Sequence, residues 1–154
     1  MSQSSYILSP MPSPSQKNDP QANGIDLTGK RVVVVEDEGI TQLQIRKMLK
    51  RQGLEVVGDA ANGKDAVAVV LETRPDIVLM DIRMPIMDGL EASKQILEKY
   101  QVCIVMLTAF SEQEYQNKAQ EIGACGYVIK PITSETLMPQ IEAAYRKVMS
   151  HDKE

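Results

Sequence analysis

Tryptophan is absent, phenylalanine occurs once, and aromatic residues make up only 4% of this 154-residue chain, so its core is expected to be aliphatic. Histidine also occurs once, as His151 in a polar stretch, where it reads as a solvated side chain. The two cysteines, Cys103 and Cys125, form no CxxC motif. They read as small buried hydrophobes of a reducing compartment, and a disulfide between them is disfavoured there. A basic excess is missing too: the net charge is −4 and the pI about 5.1. That argues against a nucleic-acid surface in the bulk of the chain. No apolar run approaches the ~18 residues of a membrane span. The start of the chain lacks the basic segment and apolar stretch of a secretory signal. The expectation is a cytoplasmic protein that contacts neither membrane nor nucleic acid.

What is present is one domain's worth of chain, 43% hydrophobic and able to bury a core. Residues 1–26 are rich in Ser, Pro, Gln and Asn, with X-Pro steps at Ser9-Pro10, Met11-Pro12 and Ser13-Pro14 that disfavour helix. They read as a disordered tail. The folded part is expected over 27–149, with a short polar tail at 150–154.

Within it, Arg31-Val32-Val33-Val34-Val35 is a β-branched run of the kind found in buried parallel strands. It ends in Glu36-Asp37-Glu38. Ile40, Leu43, Ile45, Met48 and Leu49 follow at helix-like spacing, closed by Gly53. A second strand holds Glu55-Val56-Val57, and Asn62-Gly63 is a turn. Ala66 to Leu71 is apolar throughout and fits strand or helix; its alanines and the length from Lys64 to Glu72 favour helix. Ile77-Val78-Leu79-Met80-Asp81 is an apolar run that delivers a carboxylate at its end, before Pro85 and Gly89 punctuate the chain. Leu90, Ser93, Ile96, Leu97 and Tyr100 mark a third helix. Val102 to Leu107 is a fourth strand, ending at Thr108. Ser111-Glu112-Gln113-Glu114 is a capping box for a helix with Tyr115, Ala119 and Ile122 on its inner face. A short fifth strand, Gly126 to Ile129, runs into Lys130-Pro131. The last helix begins near Thr133 or Ser134 and faces inward with Leu137, Ile141, Ala144, Tyr145 and Val148.

Five strands alternating with five helices imply a parallel sheet covered on both faces. Such a sheet delivers every strand's C-terminal residue to one edge, where ligands bind. Four of these ends carry polar chemistry: Glu36-Asp37, Asp81, Thr108 and Lys130. Taken alone, each has a plainer reading. The acidic triplet can cap the first helix, Thr108 can start a helix, and Lys130 can be a solvated loop charge. Taken together, they place three carboxylates, a hydroxyl and an ammonium in one shallow pocket. Clustered carboxylates repel unless a cation joins them, and an all-oxygen set suits Mg²⁺. A carboxylate nucleophile, a metal, and cationic and hydroxyl clamps make up the equipment of phosphoryl transfer.

These residues resemble the receiver domain of response regulators in two-component signalling. The matching stretches are Val-Val-Glu-Asp-Glu at 34–38, Asp-Ile-Val-Leu-Met-Asp-Ile-Arg-Met-Pro at 76–85, Met-Asp-Gly at 87–89, Leu-Thr-Ala at 107–109 and Gly-Tyr-Val-Ile-Lys-Pro at 126–131. The resemblance implies a flavodoxin-like sheet of strand order 2-1-3-4-5. It implies Asp81 as the phosphoacceptor, fed by a histidine kinase or a histidine phosphotransfer protein. Asp37 looks like a direct Mg²⁺ ligand, Glu36 like a ligand through water, and the Arg83 carbonyl like the family's backbone ligand. Thr108 is similar to the switch hydroxyl, Lys130 to its ionic partner and Tyr127 to the switch aromatic. The acidic pair departs from the family's commoner Asp-Asp, which puts Mg²⁺ affinity in question. Arg83 is expected to overhang the site and tune the lifetime of the phosphoryl group.

The implied output is a docking face built from the fourth helix, fifth strand and last helix, in a single-domain receiver. It catalyses only its own phosphoryl transfer and autodephosphorylation. The alternatives are a receiver belonging to a longer regulator, such as those that precede an RNA-binding antiterminator bundle, and a pseudo-receiver scaffold. A phosphatase of the haloacid-dehalogenase type would want Asp-x-Asp-x-Thr at its nucleophile, and Asp81 is followed by Ile82-Arg83.

Overall fold

The computed structural model describes residues 25–109 and 113–153. Its strands are β1 (Arg31–Val35), β2 (Glu55–Ala60), β3 (Ile77–Asp81), β4 (Cys103–Thr108) and β5 (Gly126–Ile129). Helices α1 (Gly39–Arg51), α2 (Gly63–Thr73), α3 (Gly89–Leu97), α4 (Gln113–Glu121) and α5 (Ser134–Lys153) alternate with them. All strand pairs are parallel and the sheet order is β2-β1-β3-β4-β5, as expected.

The valine run of β1 and the whole of β3 and β4 are buried on both faces, because helices cover both. Alternation along the strands divides the core in two. Val32, Val34, Leu79, Val105 and Leu107 meet Ile45 and Leu49 of α1 and Leu137 and Ile141 of α5. Val33, Val35, Met80, Ile104 and Met106 meet Ala66 and Val70 of α2, Ala92 and Ile96 of α3, and Ala119 of α4. Burying one such leucine contributes about 2 kcal/mol, so the aliphatic core stands without large rings.

Several elements differ from the sequence expectation. The second strand runs on to Ala60 because β1 pairs Val32 with Val56 but Val33 with Gly58, a bulge that skips Val57. Ile40 is 70% and Leu43 45% exposed, so the inner face of α1 is narrower than its apolar spacing suggests. The α5 helix continues to Lys153, through residues whose polarity reads as tail. Its start is settled by a reciprocal cap: Thr133 Oγ1 accepts from the Thr136 N–H at 3.2 Å, and Thr136 Oγ1 accepts from the Thr133 N–H at 3.1 Å. The capping box at Ser111 and the tail at 1–24 lie outside the described residues.

Candidate functional site: an acidic pocket at the strand ends

The sheet register assembles the site. Val35 of β1 lies beside Met80 of β3, Asp81 beside Leu107 of β4, and Thr108 beside Ile129 of β5. The next residues of each chain segment therefore converge, and the Lys130 N–H donates to the Thr108 carbonyl at 2.7 Å. The Lys130–Pro131 peptide is cis.

Two close backbone approaches hold the loop after Asp81. A Cβ on Gly89 would lie 1.9 Å from the Asp81 carbonyl oxygen, so only glycine lets the start of α3 pack there. A Cβ on Gly63 would lie 2.4 Å from the Met87 carbonyl oxygen, to which the Gly63 N–H donates at 2.8 Å. Asp88 and Asn62 cap α3 and α2 by accepting from Glu91 N and Asp65 N, each at 2.8 Å. These glycines fix the loop's position. Sequence reading treated them only as turn signals, because their requirement comes from a remote carbonyl.

Asp81 and Glu36 are buried, whereas Asp37 is exposed. Ligand oxygens of the three lie within 4.8 Å of one another. The acidic triplet does not act as a helix cap: Glu38, at the N-cap of α1, makes no side-chain cap bond. Glu36 turns inward instead. Its Oε2 accepts from the Glu38 N–H at 3.2 Å. Its Oε1 is buried, with the Lys130 ammonium 2.8 Å away as its charged partner. The same ammonium lies 3.2 Å from Asp81 Oδ2. Gln42 Nε2 braces the loop by donating to the carbonyls of Glu36 at 3.1 Å and Ala60 at 3.2 Å.

Burial, then the neighbouring Glu36 carboxylate, pushes the Asp81 carboxyl up to about 7, against the pull of Lys130. Burial disfavours the charged form of Lys130. Hydrogen bonding to Glu36 and the charges of both carboxylates outweigh that and hold its pKa above the usual lysine value. The pocket thus carries more negative charge than one ammonium balances. Three carboxylates sharing one ammonium, with ligand oxygens within 4.8 Å of one another, fit a small hard cation.

Thr108 is buried at the end of β4. Tyr127, partly buried on β5, packs on the α2–α3–α4 side of the sheet. Arg83 is exposed and its Nη2 donates to Tyr115 Oη of α4 at 3.5 Å, linking the loop after Asp81 to that helix. The pocket therefore unites Glu36, Asp81 and Lys130 by direct ion pairs, with Asp37 beside them and Thr108 joined through backbone.

Fold and pocket together define a doubly wound α/β module with an acidic site at its strand ends. The chain belongs to the response regulator receiver family, whose domain model matches residues 32–142. It is 39% identical over 115 residues to the transcriptional regulatory protein PdtaR of Mycobacterium tuberculosis, a match that takes in 75% of this chain and 56% of PdtaR. It is 39% identical over 117 residues to the transcriptional regulatory protein YdfI of Bacillus subtilis, over 75% of this chain and 55% of YdfI. The chain thus spans little more than half the length of these relatives. A solved LuxR-family response regulator from Aurantimonas superposes with a TM-score of 0.73 at 33% identity, covering 78% of this chain and 87% of that one. No helix among the described residues is long and apolar enough to cross a membrane.

Proposed function

We propose that the receiver is a phosphorylation switch whose phosphoacceptor is Asp81. The observation that carries this reading is the contact of one ammonium, Lys130, with two buried carboxylates, Glu36 and Asp81, beside the exposed Asp37. Asp81 attacks the phosphorus of a phosphohistidine on a histidine kinase or histidine phosphotransfer protein. The P–N bond breaks, and its electron pair leaves with the imidazole nitrogen. Lys130 holds the developing negative charge, and the Thr108 hydroxyl donates to a phosphate oxygen. Asp37, Asp81, the Arg83 carbonyl and, through water, Glu36 are the groups that would hold Mg²⁺, and the ion would supply positive charge to offset that of the phosphate oxygens. Beyond this transfer and its own dephosphorylation the receiver catalyses nothing.

Movement of Thr108 toward the phosphate vacates space for Tyr127, and the α4–β5–α5 face changes with it. A downstream protein that binds the two forms of this face unequally reads the switch. The signalling unit takes residues 27–149, with α5 running past its end, and works in the cytoplasm without direct contact to nucleic acid or membrane. Adding beryllofluoride and Mg²⁺, which mimic the acyl phosphate, should shift amide resonances at Thr108, Tyr127 and along α4 and α5. Shifts confined to the loops around Asp81 would contradict the switch.

A further inference from the structure

Two thiols meet at the opposite end of β4 and β5 from the acidic pocket. Cys103 opens β4 and is fully buried. Cys125 immediately precedes β5, and its N–H donates to the Ile104 carbonyl at 2.8 Å. Val105 pairs with Gly126, so Cys103 and Cys125 lie on neighbouring segments one residue out of level. Strand alternation would put Cys125 on the same side as Tyr127, against α2, α3 and α4. It packs instead on the α1–α5 side, in the cluster that contains Cys103. The chain thus leaves strand geometry at the residue that brings Cys125 into the cluster of Cys103, its thiol donating to the Gly123 carbonyl at 3.9 Å, and both thiols are free.

Their environments differ as an attacking and a resolving thiol should. A hydrogen bond from Cys103, and then the charge of Lys147, draw the Cys125 thiol below its usual pKa against the effect of burial. The same bond, with burial, pushes Cys103 far up. Cys125 is half-buried and lines an open groove of about 240 Å³ between α4 and α5, with Gln116, Gln120, Gln140 and Lys147 among its walls. The Lys147 ammonium donates to the Cys125 carbonyl at 3.2 Å. Amide and ammonium groups around an accessible sulfur suit a small polar oxidant better than an apolar ligand. The sequence expectation that both cysteines are buried holds for Cys103 only.

We propose that Cys125 is a modification site for hydrogen peroxide, with Cys103 as its resolving partner. The Cys125 thiolate attacks one peroxide oxygen and the O–O bond breaks. The leaving hydroxide takes a proton and departs as water, giving a sulfenic acid. The Cys103 sulfur then attacks the Cys125 sulfur, its proton leaves with the sulfenic hydroxyl as a second water, and the disulfide forms. Two thiols are oxidised by two electrons as one peroxide is reduced to two waters. The bond ties the starts of β4 and β5 beneath the α4–α5 groove, and cellular thiols reverse it. Neither Asp81 nor phosphate takes part.

The test is intact mass and peptide mapping of the reduced protein titrated with hydrogen peroxide, with and without dimedone. Wild type should lose about 2 Da, remain monomeric, give a peptide crosslinked between Cys103 and Cys125, and revert with dithiothreitol. Cys103→Ala should carry dimedone on Cys125; Cys125→Ser should carry none. In unmutated protein, iodoacetamide should modify Cys125 at least about tenfold faster than Cys103. That reading stands even if a variant fails to fold. Equal alkylation rates, crosslinks only between chains, or no mass loss at peroxide levels that oxidise glutathione would each overturn the assignment.

Discussion

Replacing Lys130 by methionine keeps the length of the side chain and removes its charge. Glu36 is 1% exposed, and the Asp81 side chain is 6% exposed. The ammonium at 2.8 and 3.2 Å is their shared counter-charge. Removing one partner of a buried ion pair costs about 3–5 kcal/mol. The lysine is 24% exposed, so solvent already screens the pair and the lower end, about 3 kcal/mol, applies. For a domain of this size that is roughly a 10 °C fall in melting midpoint. Without Lys130 the Asp81 pKa climbs further, so at pH 7.5 the variant must take up a proton there or ionise beside Glu36; at pH 5 Asp81 is already protonated in both proteins and the deficit should shrink by about half. The assay is thermal unfolding by circular dichroism, in EDTA, at both pH values. A variant as stable as wild type at pH 7.5, or a deficit that does not change with pH, would refute the reasoning.

The raised Asp81 pKa predicts a pH dependence of the metal-free protein. The folded state keeps a proton that the unfolded state loses near pH 4, so the stabilisation present below pH 4 fades as pH rises through about 7. Asp81→Asn should therefore melt above wild type at pH 8 in EDTA, and the gap should close toward pH 5; matching curves at every pH would count against a charged, buried Asp81. Gly89→Ala drives a Cβ into the Asp81 carbonyl and should cost about 2 kcal/mol, weakening Mg²⁺ binding measured by calorimetry; unchanged stability would mean the approach is looser than 1.9 Å. Asn62→Ala removes the α2 cap and should cost about 1 kcal/mol by urea unfolding, with no change in Mg²⁺ affinity. Arg83→Ala breaks the link to Tyr115 and should alter the autodephosphorylation rate, and equal rates would dismiss a role for the side chain.

Much of this was legible in the sequence for one physical reason. A parallel sheet turns strand ends into neighbours, so Asp81, Thr108 and Lys130 could be grouped without coordinates. The orientation of Glu36 could not. An acid after a strand can cap a helix or face inward, and only the half-buried ammonium beside it decides. Ile40 and Leu43 fit a helix period, yet α1 meets the sheet through Ile45 and Leu49, because apolar spacing reports a stripe and not its width. The bulge at Val57 arises from pairing with β1, and the need for glycine at 63 and 89 from carbonyls far along the chain. The turn of Cys125 toward Cys103 breaks the alternation that sequence reading relies on.

The central claim, that Asp81 accepts a phosphoryl group with the help of its neighbours, is met most directly by intact mass. The protein would be incubated with acetyl phosphate, with and without Mg²⁺, beside Asp81→Asn. The account predicts one phosphoryl adduct that requires Mg²⁺, is absent from the variant and maps to Asp81. No adduct under any metal condition, or an adduct that survives in Asp81→Asn, would contradict it.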